Sequence, residues 1–119
     1  MRIWRLALIT TVAAAVAGTA AAHARLVSAT PAPDSVVAGP RAVSLTFSER
    51  MVPAFSAFDL VGPGGAEVAV RAAVSEDGKT LSGTLARPLT AGVWRVNWRI
   101  ASSDGHRITG SYSFTVRQG

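Results

Sequence analysis

The stretch VWRVNWRIASSDGHRITGSYSFTV, residues 93–116, decides the fold of this chain. Large apolar residues alternate with polar ones on both sides of a short polar segment. The alternating positions are Trp94, Val96, Trp98 and Ile100 before that segment and Tyr112, Phe114 and Val116 after it. A period of two predicts half-buried strands over 93–101 and 108–117, joined by a loop at 102–106. The two tryptophans share one strand face, so we expect core positions for both.

The same alternation recurs along the preceding part of the chain. Turn-forming segments such as TPAPDS, GPGG and EDGK separate the apolar runs. The further predicted strands are 25–29, 42–48, 56–61, 67–74 and 80–85. About seven short strands at this spacing predict an all-β fold, a single immunoglobulin-like β-sandwich or Greek-key β-barrel, with no helix in the mature chain.

Residues 1–22 have the pattern of a secretory signal peptide. Two arginines lie among the first five residues, an apolar run of 13 residues follows over Leu6–Gly18, and small residues come next. The run is shorter than the roughly 20 residues of a membrane-spanning helix. We therefore expect a cleaved signal peptide and a soluble domain in the periplasm or otherwise outside the cell, which spans 23–119 if the cut follows Ala22. A cut after Ala24 satisfies the same small-residue rule and stays an alternative.

The composition of the mature chain narrows the possible functions. Removing residues 1–22 from the 119 leaves 97, the size of one domain, which we expect to be a monomer. The basic residues then fall from 12 to 10 against 7 acidic ones, and the arginines occur singly, which argues against nucleic-acid binding. Cysteine is absent, so thiolates can serve neither as nucleophiles nor as metal ligands.

The two histidines, His23 and His106, are the candidate nitrogen ligands for a metal ion. Asp104 and His106 flank Gly105 and can face one spot, although a D-G-H tripeptide is equally consistent with a capped hairpin turn. If cleavage exposes His23, its α-amine and imidazole can close a six-membered chelate ring on a metal. The combined set of three nitrogens and one oxygen suits Cu(II), with zinc as the main competitor.

Three segments of the mature chain carry a resemblance to a known family. They are HARLVSATPAPDS (23–35), VSLTFSERM (43–51) and LTAGVWRVNWRIASSDGHRITGSYSFTV (89–116). They resemble the CopC family of periplasmic copper-binding, or copper resistance, proteins. The resemblance implies a small Greek-key barrel of immunoglobulin-like shape and a single Cu(II) ion held by His23, Asp104 and His106. It also implies a non-enzymatic carrier in copper homeostasis or resistance, with a CopD-type membrane copper transporter as a possible partner.

One departure from the family concerns methionine. Some members add a methionine-rich Cu(I) loop, whereas the mature chain here has only Met51, which predicts no dedicated Cu(I) site and a place for Met51 at the surface or the core edge. Glu49 or water could complete the Cu(II) site.

Two other functions stay open at this point. One is a metal-free immunoglobulin-like interaction module. The other is a copper monooxygenase, whose centre also combines an N-terminal histidine chelate with a second imidazole.

Overall fold

The computed structural model describes residues 24–118. Within this range the chain forms nine β-strands and two single-turn 3-10 helices. The strands are β1 (Leu26–Thr30), β2 (Val36–Ala38), β3 (Ala42–Phe47), β4 (Ala57–Val61), β5 (Glu67–Val68), β6 (Val70–Val74), β7 (Thr80–Leu85), β8 (Gly92–Ala101) and β9 (Arg107–Arg117), and the 3-10 turns are Pro53–Phe55 and Pro63–Gly65. None of the helical segments found within 24–118 is long and apolar enough to cross a membrane.

The strands form two sheets packed face to face. The first has the order β1-β3-β7-β6, and the second has the order β2-β9-β8-β4-β5. These orders correspond to the ABED and CFG sheets of an immunoglobulin fold, with β2 and β5 added at the two edges of the second sheet. The predicted immunoglobulin-like sandwich is therefore confirmed, and the two sheets remain open instead of closing into a barrel.

Two strand predictions differ from the structure. The three-residue strand β2, which pairs in parallel with β9, was not predicted because three residues are too few to show a period. The predicted strand 67–74 is split at Ala69, since β5 pairs with β4 in the second sheet and β6 pairs with β7 in the first. The apolar alternation continues across this change of sheet, so the sequence alone predicts one continuous strand.

The core lies between the two sheets and contains both tryptophans predicted to be there. Trp94 is 1% exposed and Trp98 is 8% exposed. The ring of Trp98 meets Phe47 edge to face, with 5.0 Å between ring centroids. In the neighbouring strand Gly110 is directly opposite Trp98, and a Cβ atom there would collide with the indole ring. Glycine is thus required where the tryptophan ring crosses β9.

Met51 is a core residue, which corrects the prediction of a surface or core-edge position. It is 4% exposed. Its backbone N–H donates to the Gly78 carbonyl at 2.9 Å, and it forms an antiparallel bridge with Ser102. These backbone bonds hold Met51, which follows β3, in the sandwich. Its apolar side chain is buried there, which is favourable.

Two polar atoms of the core, the Trp98 Nε1 and the Tyr112 hydroxyl oxygen, have no hydrogen-bond partner among residues 24–118. Desolvation by burial also raises the pKa of Tyr112 to about 12, so its hydroxyl stays neutral at physiological pH.

The strands run between two poles of the sandwich. We call one the D-G-H pole, comprising 24–25, 48–56, 75–79 and 101–107, and the other the opposite pole, comprising 38–41, 62–71, 84–92 and 116–118. The 11-residue strand β9 runs from the first to the second. At the usual rise per residue, this strand spans about 35 Å.

Candidate metal centre

The D-G-H turn connects β8 to β9 and is closed by its own backbone. The Ser102 N–H donates to the His106 carbonyl at 2.8 Å, and the Gly105 N–H donates to the Ser102 carbonyl at 2.9 Å. Gly105 has a φ of 94°, a conformation that residues with a Cβ rarely adopt. The glycine therefore allows a turn tight enough to place the residues on its two sides together.

Asp104 and His106 meet in this turn. The His106 Nδ1 lies 3.0 Å from the Asp104 Oδ2, and the two side chains are 57% and 50% exposed. The His106 backbone N–H donates to the Asp104 Oδ1 at 3.2 Å. The carboxylate and the imidazole are thus oriented toward each other and are accessible from solvent, as the sequence predicts for a shared site.

Ser102 organises the carboxylate from below. Ser102 is only 2% exposed, and its hydroxyl donates to the Asp104 Oδ1. This hydroxyl, followed by the ring and the backbone N–H of His106, lowers the pKa of Asp104 from 3.8 to about 2. Asp104 is consequently ionised at every physiological pH. Three donors leave capacity on a carboxylate, which has about four lone-pair positions.

In its contact with Asp104, one imidazole nitrogen of His106 must carry a proton. A carboxylate accepts hydrogen bonds and does not donate them, so the nitrogen facing it carries the proton. In the neutral ring the lone pair is then on Nε2, on the far side of the ring from Asp104.

Backbone bonds bring the first described residues to the same pole. The Arg25 N–H donates to the Ser48 Oγ at 3.0 Å, and the Ser48 N–H donates to the Arg25 carbonyl at 2.9 Å. Two residues further on, the Arg50 carbonyl accepts from the Ser103 N–H at 3.0 Å. The segment 48–51 therefore lies between the start of the described chain and the D-G-H turn, and the buried Ala24 anchors that start in the core.

The predicted ligands can now be placed. Asp104 and His106 are together, and Glu49 lies in the segment between the turn and residue 25, whereas His23 lies outside the described residues. Within 24–118, no group of three or more His, Cys, Asp or Glu side chains could hold a metal ion. The sequence reasoning missed Ser102, although a serine two residues before an aspartate at a strand end could have indicated a hydrogen-bonded carboxylate.

Comparisons with known proteins give one consistent result. The CopC domain family matches residues 26–117. Copper resistance protein C of Pseudomonas syringae pv. tomato is 48% identical over 109 residues, covering 86% of each chain. The crystal structure of PcoC, a methionine-rich copper resistance protein from Escherichia coli, aligns with a TM-score of 0.75 at 40% identity and covers 81% of this chain and 100% of that one. The crystal structure of CopC from Methylosinus trichosporium OB3b aligns with the same TM-score at 33% identity, covering 81% and 95%.

Proposed function

Because this chain belongs to the CopC family, we propose that it is an exported Cu(II)-binding carrier that acts in copper homeostasis or resistance. Relatives at 39–48% identity are named copper resistance protein C. In this proposal residues 1–22 are a signal peptide removed after Ala22, and residues 23–119 are the copper-binding domain of the periplasm or cell exterior. The cut after Ala22 is part of the function, since it turns His23 into the first residue.

One Cu(II) ion is bound by three residues. His23 supplies its α-amine and an imidazole nitrogen, His106 supplies one imidazole nitrogen, and Asp104 supplies a carboxylate oxygen. The observation that carries the proposal is the 3.0 Å pairing of Asp104 with His106 at the pole where residue 25 is bonded to Ser48. Residue 25 and the turn both bond to the segment 48–50. This shared segment supports a place for the residue before Ala24 near the pair.

The donor set selects the oxidation state. Nitrogen and oxygen donors in a tetragonal arrangement suit Cu(II), and soft thioethers suit Cu(I). The relative from Escherichia coli is called methionine rich, whereas the mature chain here contains Met51 alone, and that residue is buried in the core. A single buried methionine does not support a dedicated Cu(I) site. We propose one Cu(II) per chain.

The proposed role is binding and not catalysis. A coordinating carboxylate would occupy a position that oxygen chemistry needs open, which disfavours a monooxygenase. The carrier acts as a monomer and exchanges copper with a membrane transporter of the CopD type. A processed chain that consumes oxygen with ascorbate and a polysaccharide, releasing oxidised fragments, would assign it to the enzyme class instead.

A competitive Cu(II) titration of the processed protein tests the proposal. The N-terminus is verified by intact mass, and binding is followed by the fluorescence of Trp94 and Trp98. We expect one tight equivalent, lost in His106→Ala and sharply weakened when a single residue is added ahead of His23. Asp34→Asn, a carboxylate change remote from the turn, serves as the control and should bind like the wild type.

Each failure in this experiment has its own meaning. Unchanged affinity after the added residue removes the N-terminal chelate from the ligand set. Absence of tight binding in a chain that starts at His23 defeats the whole ligand assignment and favours the metal-free interaction module. A natural chain that starts at Arg25 shows that processing removes the proposed site.

A further inference from the structure

The excess positive charge of the described chain is confined to the opposite pole. The D-G-H pole has four basic and four acidic residues: Arg25, Arg50, Lys79 and Arg107 against Glu49, Glu76, Asp77 and Asp104. The middle of the sandwich has Arg95 and Arg99 against Asp34 and Asp59. The opposite pole has Arg41, Arg71, Arg87 and Arg117 against Glu67 alone. A net charge of about +3 therefore lies at one end of the molecule.

Three of these arginines surround the end of β7. On one side of β7, Arg71 of β6 is the register partner of Thr84. On the other side, the Arg41 carbonyl accepts a hydrogen bond from the Leu85 N–H at 2.9 Å. Two interstrand gaps place the Cα atoms of Arg41 and Arg71 about 10 Å apart. Arg87 follows two residues after Leu85. The exposed residue Thr84 thus lies on a stretch of backbone flanked by three exposed arginines.

The segment before β3 and the end of β7 border an open cleft. Its volume is about 460 Å³, and its walls run over Gly39–Arg41 and Thr84–Pro88. Arg87 is held by a hydrogen bond to the Glu67 carbonyl at 2.9 Å. Neither Arg41 nor Arg71 forms an ion pair with any residue of the described range. Within residues 24–118 their charges have no counter-ion, so a partner from outside can supply one.

We propose that the opposite pole docks onto the phosphodiester surface of an anionic lipid membrane. The four arginines are exposed and lie in four separate segments of the pole, a layout that matches many headgroups in a plane better than one enclosed anion. Basic residues near an anionic leaflet each strengthen binding about fivefold. The cleft between Arg41 and Arg87 receives a headgroup, and arginine binds phosphate oxygens with paired donors.

This docking goes beyond copper binding and uses none of the proposed ligands. The two poles are separated by the length of β9, so a domain held by its arginine end presents the D-G-H turn away from the lipid. Attachment and metal capture then occur at opposite ends of one rigid sandwich. Failure of either proposal leaves the other intact.

Vesicle sedimentation of the processed, metal-free protein tests the docking. Vesicles of mixed phosphatidylglycerol and phosphatidylcholine are compared with vesicles of phosphatidylcholine alone at low ionic strength. We expect binding only to the anionic vesicles and a loss of at least about 25-fold in the double variant R41E/R71E. The matched control R95E/R99E makes the same change in net charge on the outer face of the second sheet and should lose only a few-fold.

Three results overturn the proposal. Equal losses in both double variants mean that net charge alone drives binding, without a docking pole. Stronger displacement by inorganic phosphate than by chloride at matched ionic strength means that the pole is a site for a single free anion. Failure to sediment with anionic vesicles rules out docking directly. If R41E/R71E does not fold, the milder R41Q/R71Q variant takes its place, with its fold checked by circular dichroism.

Discussion

Asp104 is an exposed carboxylate whose acidity depends on a buried neighbour. The Ser102 hydroxyl makes the largest contribution to lowering the pKa of Asp104 to about 2, ahead of the contributions of His106. Because Ser102 is 2% exposed, its hydroxyl is held in place by the core and not by solvent. One serine thereby orients the proposed oxygen ligand and extends its ionised range to lower pH.

Replacing this serine tests that dependence. In Ser102→Ala we expect the pKa of Asp104 to rise from about 2 toward 3.8, because the charged form loses its strongest hydrogen bond. The measurement is an NMR pH titration of the Asp104 side-chain carboxyl carbon in metal-free protein. Ser103→Ala, an exposed neighbour, is the control and should leave the titration unchanged. An unaltered titration in Ser102→Ala would assign the shift to His106.

Tyr112 offers a second test at the scale of one atom. Its hydroxyl is buried without a partner among the described residues, so Tyr112→Phe removes a desolvated polar group and keeps the ring. We expect the free energy of unfolding to stay the same or to increase by up to about 1 kcal/mol. Urea unfolding measures this change, with Tyr112→Ala as the control that also removes the packing. A clear decrease in the free energy of unfolding of Tyr112→Phe would mean that the hydroxyl is hydrogen bonded.

Among the elements, the β6–β7 connection is organised by one carboxylate. Asp77 Oδ1 accepts from the Ser75 hydroxyl and, at 3.0 Å, from the Lys79 N–H. The Ser75 bond is the first cause, and the Lys79 N–H the second, of a pKa for Asp77 below its ordinary value. A lowered folded-state pKa stabilises the fold above the unfolded pKa of about 3.9. This contribution is lost as the pH falls through the folded value.

We therefore expect Asp77→Ala to reduce stability at neutral pH and to have a shrinking effect under acid conditions. Thermal unfolding of the variant and the wild type, repeated across the acid range, measures the gap in stability between them. Glu76→Ala lies in the same turn, and its side chain makes no hydrogen bond within the described part of the chain, so it is the control. A gap that stays constant through the acid range would show that ionisation of Asp77 plays no part.

The pairing of β8 with β9 depends on a glycine at a single register position. In Gly110→Ala the added Cβ meets the Trp98 indole, so either the ring or the strand must move. We expect a loss of about 1–3 kcal/mol in stability, typical of an overpacked core, accompanied by a change in tryptophan fluorescence. Thr109→Val, on the outer face one residue away, should change stability by less than about 0.5 kcal/mol. Equal stability of the two variants would mean that the Trp98 ring has room to move.

The strands differ in how well they could be predicted, for physical reasons. In β8 and β9 one face is buried and the other is solvated, so the sequence alternates and both strands are predictable. Strand β2 has only three residues and forms by pairing with the edge of β9. Its formation depends on tertiary structure and not on a local sequence pattern. The change of sheet at Ala69 is equally invisible in the sequence, because Val68 and Val70 both face apolar surroundings.

At the scale of the whole molecule, metal binding and folding are linked. If the chain that begins at His23 binds Cu(II) as proposed, a metal concentration 100-fold above the dissociation constant adds about 2.7 kcal/mol to its stability. For a domain of this size that corresponds to a rise in melting temperature on the order of 10 °C. A chain that begins at Arg25 should show little or no rise, and differential scanning calorimetry distinguishes the two. Equal rises would place the binding site away from His23.

The candidate site could be predicted in part. Coordination chemistry and the D-G-H spacing indicate Asp104 and His106, and the structure brings these side chains together. What joins them to the start of the chain is the placement of 48–51 between residue 25 and the turn, a product of sheet topology that no local pattern contains. The buried position of Met51 follows from the same placement.

The parallel pairing of β2 with β9 also determines how the domain responds to a pulling force. Residue 24 leaves the sandwich at the D-G-H pole and residue 118 at the opposite pole, so tension applied to these two points acts along the strands. Antiparallel β1–β3 and parallel β2–β9 are then both stretched in shear, and their hydrogen bonds must break together instead of opening one at a time. The domain is therefore expected to be mechanically stiff along its long axis and easier to open when pulled across it.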